Sequence, residues 1–201
     1  MKNKQAGFTL LEISIVLAII GIIVGVVLAK SDLLIGNTKV TTTITLIKDL
    51  SGAVSNFKGR YHYLPGDIPS ASNDIAGITA GTACDKGNGD GVIADATNEI
   101  PCVATHLVLS GLIKGNTTGI ISPFNLGTNP DVFVLSVSSS AVNIAAVNPF
   151  PLTVQNVIEI KNIPCDAALS IDSKIDDASS QTGNVRFTTC TNGTTTLDVG
   201  L

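Results

Sequence analysis

A run of apolar residues starting at Phe8 and broken by a single acid, Glu12, constrains this chain more than any other feature. The stretch FTLLEISIVLAIIGIIVGVVLA follows a short leader that carries Lys2 and Lys4. As a helix from Leu10 to Ala29 it would be roughly 30 Å long, the thickness of a bilayer's hydrocarbon core. A charge in such a span costs on the order of 2.5–3.5 kcal/mol at its centre, so a carboxylate kept there needs a partner. Residues 8–29 are therefore predicted to form a transmembrane helix, with the lipid bilayer as a partner. Lys2 and Lys4 hold the N-terminus inside, and the bulk of the chain leaves the cytoplasm. A cut between Gly7 and Phe8 would free an amine on Phe8, four residues before Glu12 and on the same helix face. The carboxylate could then meet its own amine or that of a neighbouring helix.

The competing reading is a removed secretory signal, with Lys2 and Lys4 as its basic region and cleavage after Val27, Leu28 and Ala29. Its apolar region would exceed the roughly 7–15 residues of such signals, and Glu12 would sit inside it without purpose. The apolar pattern also continues past Ala29. Leu33, Val40, Ile44, Ile47, Leu50, Val54 and Phe57 fall mostly three or four apart, a helical stripe among Lys30, Asp32, Lys39, Lys48, Asp49 and Lys58. One long helix, apolar all round and then amphipathic, is predicted to end near Gly59.

Gly7, Phe8, Thr9, Leu10, Leu11 and Glu12 resemble the processing site of type IV prepilins and type II secretion pseudopilins. The resemblance implies that a prepilin peptidase cuts after Gly7 and N-methylates Phe8, and that Glu12 neutralises a neighbour's terminus during filament assembly. It implies an α+β, pilin-like fold: a cleaved leader over 1–7, a transmembrane and assembly helix over 8–29, and over 30–201 an amphipathic helix packed on a small antiparallel sheet head. The implied partners are other pilin or pseudopilin subunits, the peptidase and an inner-membrane assembly platform. The implied location is the bacterial inner membrane, single-pass, with the head in the periplasm, and then a pilus or pseudopilus.

Composition fits export. Only 14% of residues are charged and 4% aromatic, and a net charge of -4 with a pI near 5.0 leaves no basic surface for nucleic acid. An apolar content of 44% is too high for a disordered tail. Cys84, Cys102, Cys165 and Cys190 suit two disulfides in an oxidising compartment. Of the three pairings, Cys84–Cys102 with Cys165–Cys190 is the sequence-local one. No CxxC pair or histidine cluster accompanies them to suggest a metal.

In the head, Leu64, Pro65, Gly66 and Asp67 predict a type II turn, and His62 beside it reads as an exposed turn residue. The loop CDKGNGDGVIADATNEIPC offers Asp85, Asn88, Asp90 and Asp95 as weak calcium candidates. Its GNGDG core resembles an EF-hand loop, but the spacing puts Lys86 at the first ligand and Thr97 at the last. A disulfide-closed, glycine-rich turn without a cofactor is the expectation. THLVLSGLIKG predicts a short helix with His106 as a packing or surface residue. DVFVLSVS and LTVQNVIEI, rich in β-branched residues, predict strands. PCDAALSIDSKIDD predicts a helix opening at Pro164, followed by a strand over Val185–Thr189. The run Ile171–Asp177, then Gly183, Val185 and Arg186, resembles a C-terminal motif of the same family, with Ala178 where a glycine is usual. Asp172, Asp176 and Asp177 read as a solvated, helix-terminating cluster, with a cation or a partner's lysine as the other reading.

Two histidines in no nucleophile or metal motif, and no phosphate-cradling glycine motif after a strand, give catalysis no support. The sequence is therefore read as a non-enzymatic pilus or pseudopilus subunit. The alternative is a membrane-tethered or secreted binding module with no filament role.

Overall fold

The computed structural model describes the backbone of residues 9–140 and 150–201, with the side chains of 9–26, 36–140 and 150–201. The chain divides into two compact units, Met1–Thr38 and Lys39–Leu201, and the second is called the head. Helix α1 runs Leu10–Tyr61. Within the head, α1 presents Val40, Ile47, Leu50, Val54 and Phe57 to the core, the stripe that the spacing predicts. Thr43 shares that stripe, fully buried among poor helix formers, so packing rather than propensity holds this stretch. Phe57 is completely buried, and truncating such a side chain to alanine costs about 3–5 kcal/mol.

The helix passes the predicted stop at Gly59 and ends two residues later. His62 adopts a left-handed φ of 66°, and its N–H donates to the Lys58 carbonyl at 2.9 Å. That geometry closes the last turn as a glycine would. The Leu64–Asp67 turn follows as predicted, with Gly66 at φ 91° and the Asp67 N–H donating to the Leu64 carbonyl at 3.1 Å.

Helix α2 is Cys102–Leu109, starting earlier than the sequence pattern suggests, at the disulfide-bonded Cys102. The strands are β1 Val132–Ser136, β2 Asn156–Pro164, β3 Val185–Phe187 and β4 Thr194–Gly200, with α3 spanning Cys165–Ile175 between β2 and β3. They form one antiparallel sheet in the order β1-β2-β4-β3. Strand β4, the inner neighbour of both β2 and β3, is absent from the sequence reading. Its TTTLDVG is β-branched at its start but carries a buried acid, Asp198, that hides the pattern.

Successive residues alternate faces. Val132, Val134, Ile158, Ile160 and Leu197 join the α1 core, while Leu135 and Val157 pack with Phe150 in a second cluster. Glu159 pairs across the strands with Asp198, and Asp198 with Arg186. Both acids are buried, and Lys161 meets Glu159 at 3.2 Å.

Disulfides join Cys84 to Cys102 and Cys165 to Cys190, the sequence-local pairing. Closing loops of 18 and 25 residues is worth on the order of 3 kcal/mol each in the chain-entropy account.

Candidate functional site

Gly7 and Phe8, the predicted cleavage residues, lie outside the described residues. The chemistry next to them is visible. Thr9 precedes the first helical residue and Glu12 is the third within the helix, and the two close a reciprocal cap. The Glu12 N–H donates to Thr9 Oγ1 at 3.2 Å, while the Thr9 N–H and its hydroxyl both donate to Glu12 Oε2 at 2.8 Å. This is a capping box: two backbone donors that the helix cannot satisfy are met by side chains. The Thr-x-x-Glu spacing announces it in the sequence, where the charge of Glu12 drew the reading toward an amine instead. Glu12 thus has a partner within its own chain.

Beyond the cap, all the large apolar side chains described from Leu10 to Val26 are exposed, from 47% at Ile13 to 92% at Leu10. A helix apolar on every side needs cover on every side. A contiguous exposed apolar surface of this kind marks contact with protein or lipid. Among the described residues no helix is long and apolar enough to cross a membrane, and the predicted span 8–29 extends at both ends beyond the residues 9–26 whose side chains are described.

The head carries a different kind of polar construction. In the Cys84–Cys102 loop, the calcium candidates spend their oxygens on separate local bonds. Asp85 accepts from the Ser72 and Gly81 N–H groups, both at 2.7 Å, which hold its carboxyl below the usual range. Asp90 accepts from the Val92 N–H at 2.8 Å and from the Asn88 side-chain amide at 3.0 Å. Asp95 is lowered by the Asn98 side chain and then by the Thr97 N–H. Asp85, Asp90 and Asp95 do not gather as a metal-holding group among the described residues.

What shapes this loop are two buried acids that the sequence reading passed over. Asp67 accepts from the Gly89 and Gly91 N–H groups at 2.7 and 2.9 Å, and Glu99 from Ala94 and Asp95, both at 2.9 Å. His106, read as a packing or surface residue, is fully buried and bonded on both nitrogens. Nδ1 accepts the Gly66 N–H at 2.8 Å, so Nε2 carries the proton that it donates to the Cys84 carbonyl at 2.7 Å. Burial holds its pKa below the usual value. One neutral imidazole thereby ties the Leu64–Asp67 turn to the Cys84 loop.

At the end of α3, Asp172, Asp176 and Asp177 bring one carboxylate oxygen each within 4.8 Å of one another. The solvated cluster expected here is only partly so, because Asp172 is completely buried. Its pKa is raised by burial first and by the charges of Asp177 and Asp176. Ala178 takes the left-handed φ of 62° that a glycine would favour, so the turn keeps its shape without one.

Residues 2–28 match the family described as the prokaryotic N-terminal methylation motif. The fimbrial protein EcpC of Eikenella corrodens is 30% identical over 115 residues, covering 57% of this chain and 71% of that protein. The chain belongs to the type IV pilin family. No solved structure matches it. A pilin-type structural subunit accounts for an exposed apolar helix joined to an α+β head stapled by two disulfides.

Proposed function

We propose that this pilin is a minor subunit of a type IV pilus. It is cut between Gly7 and Phe8 by prepilin peptidase, methylated on Phe8, and held in the bacterial inner membrane through residues 8–29 with its head in the periplasm. It then moves into the filament by exchanging lipid for neighbouring subunits around its N-terminal helix. The observation that carries this reading is the helix surface from Leu10 to Val26, exposed on all sides and bearing one charge, Glu12. The pilus is favoured over a secretion pseudopilus because the relative is a fimbrial protein.

Glu12 has two duties in this reading, capping the helix and docking on a neighbour's terminal amine, and one pair of variants separates them. Glu12→Gln keeps a side chain suited to the capping box and removes the charge, while Glu12→Ala removes both. Both variants should insert in the membrane at least as well as the wild type, since a costly charge is gone, and both should be depleted from sheared filaments. Filament incorporation of Glu12→Gln at the wild-type level would leave the cap as the acid's whole role. Mass spectrometry of the mature protein tests the processing step. A methylated Phe8 terminus is expected, and a terminus at Lys30 would make this a secreted protein and overturn the proposal.

A further inference from the structure

In the head, α1 and the segment that follows α2 flank an open groove of about 770 Å³. Leu46, Leu112, Ile113 and Ile121 make its walls apolar, and Lys48, Asp49 and Lys114 stand along it. None of these three charged side chains has an ion pair or a hydrogen bond among the described residues. Gly52 also lines the groove, from the interior of α1, where a glycine weakens a helix relative to alanine. A Cβ built on it would meet nothing within 4 Å, so no packing inside the chain calls for a bare backbone there. Its consequence lies outside the chain: with no side chain at this position the groove stays open to a side chain from another molecule.

Elsewhere on the head, α3 has an exposed face. Asp166, Leu169 and Ser173 follow one another there at spacings of three and four, with Lys174 at the edge. Leu169 is 49% exposed, and neither Asp166 nor Lys174 has an ion pair or a side-chain hydrogen bond among the described residues. Leu126 and Leu152 are barer still, but no charged residue stands within three positions of either. Leu169 therefore joins an apolar knob to an unpaired acid. No residue of α3 lines the groove, so one copy can offer both surfaces at once.

We propose that the α3 face of one copy of this chain docks in the α1 groove of a second copy. Leu169 enters over Gly52, Asp166 meets the groove lysines, and Lys174 faces Asp49. Charge complementarity selects this occupant. The groove sets two unpaired cations and one acid on apolar walls, and the face sets an unpaired acid and a cation around an apolar knob. The two surfaces differ, so the contact is heterologous and adds copies in a row rather than closing a two-fold pair. This inference rests on the pilus reading in one respect: copies of the minor subunit then enter the filament beside one another rather than scattered.

The test uses the purified full chain in detergent, with sedimentation to follow its size and Leu169→p-benzoylphenylalanine for photocrosslinking. The wild type should grow in size with concentration, and irradiation should join position 169 of one copy to residues 46–56 or 112–121 of another. Gly52→Gln should fold at least as stably, since a better helix former fills an open site, yet associate about tenfold more weakly or worse. Leu169→Asp, an exposed change, should do the same. Mixed together, these two variants should associate again and stop at dimers, because one keeps its α3 face and the other its groove. A wild type that stays monomeric would overturn the proposal, as would variants that associate like the wild type, a mixture that fails to pair, or crosslinks that reach only detergent or position 169 of the partner copy. The readout stands apart from filament incorporation. Docking without incorporation would sink the pilus reading alone, and incorporation without docking would sink this contact alone.

Discussion

Replacing His106 with alanine would strip both the turn at Gly66 and the Cys84 loop of their shared partner. The Gly66 N–H is buried and the Cys84 carbonyl half-buried, and each loses a bond shorter than 3 Å. An unmet buried group costs about 1–3 kcal/mol, so the two together cost about 2–4 kcal/mol with the more exposed carbonyl at the low end. Loss of the ring stacked 5.9 Å from Phe57 adds a cavity, bringing the expected destabilisation to about 3–5 kcal/mol. His106→Asn should recover part of this, since its Oδ1 can stand where Nδ1 accepts from Gly66. The pair also isolates a pH effect. Burial keeps the folded imidazole neutral below its unfolded pKa of about 6.5, so its contribution is full above that pH and falls as the unfolded chain takes up a proton. Between pH 7.5 and 5.5 the wild type should lose up to about 1.4 kcal/mol relative to His106→Asn. Urea unfolding of the detergent-solubilised full chain, read by tyrosine fluorescence, measures both effects. The chain has no tryptophan, and Tyr61 packs 4.5 Å from Phe57 in the core. A cost below about 1 kcal/mol for His106→Ala, or a wild-type to Asn difference unmoved by pH, would refute the assigned tautomer and its role.

Asp198 should act with the opposite sign: burial, reinforced by the charge of Glu159, pushes its pKa up to about 8, so its contribution is fully present only below the unfolded pKa of about 4 and is lost progressively as pH rises from there through about 8. Asp198→Asn should therefore melt close to the wild type near pH 4 and increasingly above it as pH rises toward 8, and a difference that does not change between pH 4 and pH 8 would count against a neutral buried acid. Gly66→Ala should destabilise by at least about 2 kcal/mol, because the residue sits at φ 91° and its new Cβ would lie 2.5 Å from the Glu99 carbonyl oxygen. Denaturation showing less than half that loss would mean that the turn can shift as a unit.

The parts of the fold legible in the sequence are those fixed by local rules. The spacing Val40, Ile47, Leu50, Val54 and Phe57 declares a helix face, Pro65-Gly66 declares a turn, and cysteine proximity suffices to pair the disulfides. Elements set by distant contacts are not legible in this way. Strand β4 is recognised only once β2 and β3 flank it, and His106 looks like any helical histidine until two loops close over it. The acids divide in the same manner. Asp85, Asp90 and Asp95 catch the eye because glycines surround them, yet each serves its own neighbourhood. Asp67, Glu99 and Asp172 stand in unremarkable contexts, and their importance comes from burial alone. At the N-terminus the Thr9–Glu12 box lay within reach of sequence reading and was overshadowed by the question of what answers a charge in an apolar run.

That box lies wholly downstream of the bond between Gly7 and Phe8. The helix carries its own starting instruction in Thr9 and Glu12. Maturation at that bond would thus exchange one flank for another while the first turn stays wound. A foreign leader ending in glycine should deliver the same helix, beginning at Leu10, because Thr9 and Glu12 set its first turn.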